Sequence, residues 1–418
     1  MPPFPRGVGA LSQRVGAIPE ALSIWMNQIV YDLRARGTDL TVLSLGEAFF
    51  QIPWFGLDSV DADRANHYSS SRGLPELRAQ IAAYYAREYG SVIDPDRELL
   101  ITAGSKMAIY LTLLATLDRD DEVVIHEPAW LSYPEQVRLA DAVPCLVPYD
   151  VDVAELPSYF GPRTRMVILN NPNNPAGRMY DADELRALHR ACRERDVELL
   201  VDEAYSDFVL DAPFVSLGAV APDRDGATVV NSLSKNLGVS GWRIGYVVAR
   251  AELIDACLKL NQHLITCAPT VLQLYLARHF EALTAATLPQ ARAVVEKRAR
   301  IARAMERLGL SHLGGSSTFY FFVSTGDYPG SGLDLAATLL LDDGIAVVPG
   351  SAYGASTERF VRISIGTEPE ERIVAALERL RSRLDQRLPD PVPAAERLRR
   401  AGFTPFERAR STVTAAGR

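Results

Sequence analysis

The chain has 418 residues, 48% of them apolar and 23% charged, the balance of a globular protein of two or three domains. Its net charge of −8 gives no overall basic field to attract nucleic acid or an anionic membrane, so neither is expected as a partner. No run of eighteen apolar residues is present, and Met1–Arg6 lacks the apolar core and cleavage site of a signal peptide.

The four cysteines, Cys145, Cys192, Cys257 and Cys267, stand apart without metal-ligand spacing. Their plain reading is reduced thiols in a cytoplasmic protein with no metal.

From residue 98 to 250, β-rich apolar runs alternate with helical stretches. The predicted strands are 98–102, 122–126, 144–147, 165–170, 197–202, 227–232 and 244–249, with helices over 106–117 and 185–194. Such alternation predicts an α/β fold whose large domain holds a mostly parallel seven-stranded sheet covered by helices. Ligands of such sheets gather beyond the carboxyl ends of the strands. Around Pro289 the pattern changes to a charged helix over 291–308, followed by short strands near 319–323, 345–348 and 361–365. Ile373, Leu377, Leu380, Leu384 and Leu388 then recur at helical steps. These elements predict a smaller α+β domain built from both chain ends. The expected boundaries are 1–45 for an N-terminal arm and part of the small domain, 46–290 for the large domain and 291–388 for the rest of the small one. A loosely ordered Pro/Arg/Ala-rich tail is expected over 389–418.

The chemistry-bearing residues follow strand ends. Lys235 lies just past a predicted strand, three residues after Ser232 and eight before Arg243, in a frame of small residues and glycines. Lysine forms imines with carbonyl compounds, and a hydroxyl with a guanidinium fork suits a phosphate. A lone lysine of this kind is ordinarily a surface residue in a turn, a reading that the frame weakens. Asp202 closes another strand, with Tyr205 three residues on; taken alone they are a helix cap and a core tyrosine. Asn174 sits in the rigid run Asn170–Gly177, which by itself is only a turn. Gly104, Ser105 and Lys106 open a helix after a strand, where backbone N–H groups favour an anion. Trp130 follows the next strand, where an indole stacks on a flat ring or simply packs in a core. Arg362 stands among apolar residues of a strand and needs a partner, either a ligand carboxylate or a buried Asp or Glu.

Together and in this order, these motifs resemble the class I/II aminotransferases of the fold type I pyridoxal-phosphate enzymes, over roughly residues 15–388. The resemblance implies pyridoxal 5'-phosphate as cofactor, with Lys235 as Schiff-base residue and Asp202 on the ring nitrogen. It implies Asn174 and Tyr205 on the phenolic oxygen, and Ser105, Lys106, Ser232 and Arg243 around the phosphate. Trp130 would lie over the ring, Arg362 would hold the substrate carboxylate, and Gly46 would lie against the substrate. The run His67–Arg78 matches the segment that such dimers lend to the partner's site, so Tyr68 would reach the neighbouring subunit's phosphate in a homodimer with shared sites. The substrates would be an amino acid and a 2-oxo acid. Where relatives often read Gly-Glu-Pro-Asp-Phe, this chain has Gly46-Glu47-Ala48-Phe49-Phe50, in a segment that borders the substrate side chain in the family. That departure leaves the amino acid unread, and keeps open elimination, cyclisation, decarboxylation or oxidation on the same cofactor. A non-catalytic regulator is the third reading; such proteins carry a DNA-binding segment ahead of this fold, whereas about forty residues precede Gly46 and show no basic helix-turn-helix pattern.

Overall fold

The β-rich runs of the middle of the chain pair into one sheet in the computed structural model, which describes residues 12–16, 18–210, 212–386, 392–404 and 406. A short β1 (Thr41–Val42) comes first. The seven strands of the main sheet are then β2 (Leu99–Thr102), β3 (Glu122–His126), β4 (Val143–Val147), β5 (Thr164–Asn170), β6 (Glu198–Asp202), β7 (Ala227–Ser232) and β8 (Gly245–Val248). Across the sheet they run β2-β8-β7-β6-β5-β3-β4. The strands from β7 to β4 pair in parallel, whereas β8 lies antiparallel between β2 and β7. Every residue of β6 and β7 is buried, as expected for strands with helices on both faces.

Alternate side chains feed two cores. Leu99, Ile101, Leu199 and Val201 point to the face that also buries Leu77 and Ile81 of helix Pro75–Tyr89. Leu100, Ile125, Ile168 and Leu200 point to the other face, against Ile109 of helix Ser105–Thr116 and Ile254 of helix Ala251–Leu264. Each such side chain contributes about 1.5–3 kcal/mol of burial, so this strand period of two fixes which edge groups face the site. The helix read over 185–194 begins at Ala182, because Asp181 caps it and Glu184 reciprocates.

A third core joins the two ends of the chain. Helix Leu22–Ala35 buries Met26, Ile29 and Val30 against Phe319, Phe321, Leu335 and Leu377. Here β9 (Tyr320–Ser324), β11 (Val348–Pro349) and β12 (Phe360–Ser364) form an antiparallel sheet, and β10 (Ile345–Ala346) pairs with β1. This is the smaller α+β unit built from both ends.

Three expectations change. The single strand read over 345–348 is two, β10 and β11, separated at Val347 and paired to different partners. The helix expected from Ala291 starts at Thr270 and runs unbroken through Pro289 to Arg307. A mid-helix proline costs about 3 kcal/mol. That cost is offset here by burial on both sides of it, with Phe280 and Leu283 in one core and Ala291 and Val295 in another. The tail is not loose throughout: Ala394–Arg400 is a helix whose Ala394 and Leu398 are buried, with Arg397 paired to Asp342. Leu388, Pro389 and Pro391 lie outside the described residues.

Candidate active site

The sheet's topology decides where the polar residues meet. Because β2 and β7 run alike and β8 runs against both, the start of β8 lies at the same edge as the ends of β2 and β7. Thr102 and Ser232 therefore both pair with Gly245. A Cβ on Gly245 would stand 2.2 Å from the Ser105 nitrogen, so only glycine lets the strand abut the helix start. Arg243, just before this strand, is held in the left-handed region at φ 58° and reaches across to Gly104. Its Nη1 donates to the Ser240 carbonyl at 2.6 Å and to Ser234 Oγ at 3.4 Å. Ser232 caps the short helix Leu233–Asn236, accepting from the Ser234 N–H at 3.1 Å. Serine hydroxyls, a guanidinium and a helix N-terminus thus converge, a chemistry that suits a phosphate.

Lys235 projects from that short helix into a cavity of about 190 Å³. Its Nζ donates to the Gly46 carbonyl at 2.5 Å. Burial lowers its pKa to about 8, with Arg362 and Arg243 pushing the same way against Glu47 and Asp202, so a fraction of the amine is neutral and nucleophilic near pH 7.

Asp202 stands at the buried end of the cavity. Its Oδ2 accepts from the Tyr133 hydroxyl at 2.7 Å and its Oδ1 from the Ala204 N–H at 3.1 Å. Burial pushes its carboxyl up to about 6, despite those hydrogen bonds. On the next strand Asn170 binds the Asp202 carbonyl through Nδ2 at 2.8 Å and the Asn174 N–H through Oδ1 at 2.6 Å. The loop carrying Asn174 is thereby tied to the strand carrying Asp202.

Arg362 lies in β12, only 4% exposed. Its Nη2 donates to the Ser44 carbonyl at 2.7 Å and its Nη1 to Asn174 Oδ1 at 3.4 Å, while Nε is buried without a partner. Its guanidinium lies 4.5 Å from the Tyr320 ring centre and 5.3 Å from that of Tyr353. Among the described residues it pairs with no Asp or Glu, so the buried salt bridge that competed for it is not there. Since its oxygen faces Arg362, the Asn174 amide turns its nitrogen to the Tyr205 hydroxyl at 3.4 Å.

Of the residues singled out from sequence, Gly46, Ser105, Lys106, Trp130, Asn174, Asp202, Tyr205, Ser232, Lys235, Arg243 and Arg362 all line this cavity. Lys106 sits at its rim, 5.0 Å above the Trp130 ring. Tyr68 is the exception: it is 86% exposed, away from this chain's own cavity. Its neighbour Arg72 turns inward to Asp255 at 2.5 Å. Of the aromatic segment after Gly46, none of the described residues 47–55 lines the cavity. Phe50 packs on Phe208, and Trp54 on Tyr275. The sequence reading did not single out several wall residues, among them Tyr133 and Tyr320. Tyr133 follows Trp130 by one helical turn and reads as its packing partner, while Tyr320 is embedded in the apolar run of β9.

The cavity fits pyridoxal 5'-phosphate. Its lining combines the hydroxyls of Ser105, Ser232 and Ser234 and the Arg243 guanidinium, which suit a phosphate, with the buried Asp202 carboxylate, the Trp130 ring, the Lys235 amine and the Tyr205 and Asn174 donors, which suit the ring and its aldehyde. Fold and cavity together define an α/β enzyme class that works on amino groups. Consistent with this, residues 32–380 match the family model for aminotransferase class I and II. The chain is 32% identical over 381 residues to a probable aspartate/prephenate aminotransferase of Thermus aquaticus, covering 88% of this chain and 98% of that one. It is 32% identical to the aspartate aminotransferase of Geobacillus stearothermophilus over 90% of this chain and 99% of the relative. The crystallised Thermus thermophilus aspartate aminotransferase with maleate superposes with a TM-score of 0.82 at 31% identity, covering 89% of this chain and 99% of that one. The chain belongs to the class I and II aminotransferases, and it is a transferase enzyme that moves amino groups between amino acids and 2-oxo acids.

Proposed function

We propose that this aminotransferase carries pyridoxal 5'-phosphate on Lys235 and works as a cytoplasmic homodimer whose sites draw on both subunits. The convergence of Lys235, Asp202, Asn174, Tyr205 and Arg243 on one cavity carries this reading. When bound, pyridoxal phosphate supplies an aldehyde carbon for amines and a ring that accepts electrons from the substrate's Cα.

This chain's own residues do the rest. Ser105, Ser232, Arg243 and the Lys106 backbone would hold the phosphate, and Trp130 would offer its face to the ring. Asp202 keeps a proton on the ring nitrogen, a task suited to a buried carboxylate supported by the Tyr133 hydroxyl. Tyr205 and Asn174 donate to the phenolic oxygen. Arg362 holds the substrate's α-carboxylate, which orients the Cα–H bond toward Lys235. The free Lys235 amine would take the proton from the substrate's Cα and return it, as general base and then acid. Its lowered pKa, about 8, poises it for both. Tyr68, turned away from its own cavity, is the residue lent to the partner.

The test is a half-reaction: holoenzyme is mixed with single amino acids and no 2-oxo acid, starting with aspartate, for which the relatives are named. Stoichiometric loss of the visible band with one 2-oxo acid per site is expected. Continuous product formation, ammonia release or oxygen uptake without an acceptor would refute transamination.

A further inference from the structure

Tyr320 is wholly buried in β9, yet its side chain reaches the cavity wall, its hydroxyl beside Tyr205 and Gly46 and its ring against Arg362. It lies 3.0 Å from the Tyr205 hydroxyl. A Cβ on Gly46 would stand 3.2 Å from it, so the phenol fills the space beside the glycine whose carbonyl holds Lys235. The face of its ring carries the Arg362 guanidinium.

We infer that Tyr320 is a positioning residue for both ends of the reacting group: its hydroxyl donates to Tyr205 and turns that phenol's single proton into the cavity, and its ring holds Arg362 flat. The inference rests on the cofactor reading above. A phenol has one proton and two acceptor positions. Tyr205 already accepts from Asn174, whose amide is oriented by Arg362. If Tyr205 also accepts from Tyr320, its own proton is left for an acceptor in the cavity. The opposite polarity would spend that proton on Tyr320 and leave the cavity without it. Geometry favours the first arrangement: among the described residues the Tyr320 hydroxyl has no hydrogen-bond partner besides Tyr205, so only Tyr205 can take its proton, whereas Tyr205 also faces the cavity. Burial raises the Tyr320 pKa, while Arg362 against its ring works the other way and Glu47 adds to the rise. Hydrogen bonds in such a chain strengthen one another, so Tyr320 makes Tyr205 a better donor.

The experiment compares Tyr320→Phe and Tyr320→Leu in protein loaded with pyridoxal phosphate, reading the visible band against pH and the KM for an amino acid. A donor to the ring oxygen stabilises its negative charge and makes the titrating nitrogen beside it less basic. Tyr320→Phe, which keeps the ring and so the fold, should therefore move the band's midpoint up by roughly 0.5 to 1 pH unit. It should change KM by less than about threefold, because the guanidinium keeps its platform. Tyr320→Leu should raise KM by about tenfold or more. A wild-type band with an unchanged midpoint in Tyr320→Phe overturns this inference alone, whereas wild-type protein with no band overturns the cofactor reading with it. Equal KM values in the two variants would show that the ring does not hold Arg362.

Discussion

Replacing Arg362 by lysine is the sharpest probe of substrate binding. Arginine presents five N–H donors in a fixed plane. The structure uses two of them, on the Ser44 carbonyl and on Asn174 Oδ1, and leaves Nε buried and unpartnered. At 4% exposure water cannot satisfy the rest, so a carboxylate is the partner this pocket lacks. Lysine keeps the charge but places all its donors on one atom, which cannot serve Ser44, Asn174 and both oxygens of a carboxylate together. Losing one charge-assisted contact in so dry a site costs roughly 2–4 kcal/mol, or roughly 30- to 700-fold in kcat/KM. Single-turnover conversion of holoenzyme at limiting amino acid measures this directly, and cofactor affinity serves as the control. Arg362→Lys should lose the amino-acid step while binding cofactor normally. An unchanged rate at limiting substrate, or a loss matched by cofactor loss, would show that Arg362 serves the fold.

Three other expectations follow from the same geometry. The Asp202 carboxyl is pushed up to about 6 by burial, from an ordinary 3.8, so the folded apoprotein holds an extra proton between those values. The stability this confers is present below the lower value and lost as pH rises through about 6. Asp202→Asn apoprotein should thus gain in Tm on wild type between pH 4.5 and 7, and a flat difference would contradict the assignment. Because the Lys235 amine titrates at about 8, the rate of cofactor capture by apoprotein should rise with pH and level off above 8; a rate still climbing toward pH 10 would mean an ordinary, solvated lysine. Lys235→Ala and Tyr68→Phe, each inactive or strongly impaired, should recover activity when mixed and allowed to exchange subunits, since one site of the heterodimer then has both residues intact. Exchange without rescue would remove Tyr68 from the partner's site.

The strands of the main sheet were legible because parallel-sheet strands are buried on both faces and read as short apolar runs between turns. Lys235, Asp202 and Asn174 were legible because they stand where those runs end. What local pattern could not show was direction. Arg243 reaches the phosphate cradle only because β8 runs antiparallel to both neighbours, a fact of pairing rather than of composition. Pro289 misled for a related reason: proline punctuates a helix locally, but burial in two cores holds the helix through it. Tyr320 was invisible among the aromatic and apolar residues of β9, since a strand buried on both faces does not reveal which residue turns a hydroxyl to a cavity. The tail helix was hidden by composition, as Arg- and Ala-rich sequence reads alike whether solvated or packed through Ala394 and Leu398.

The central claim is that Lys235 carries the cofactor. Apoprotein reconstituted with pyridoxal 5'-phosphate, reduced with borohydride and digested, should yield one modified peptide, the one containing Lys235, and Lys235→Ala protein should yield none. A modified peptide centred on another lysine, or no adduct at all from wild-type protein, would contradict the account.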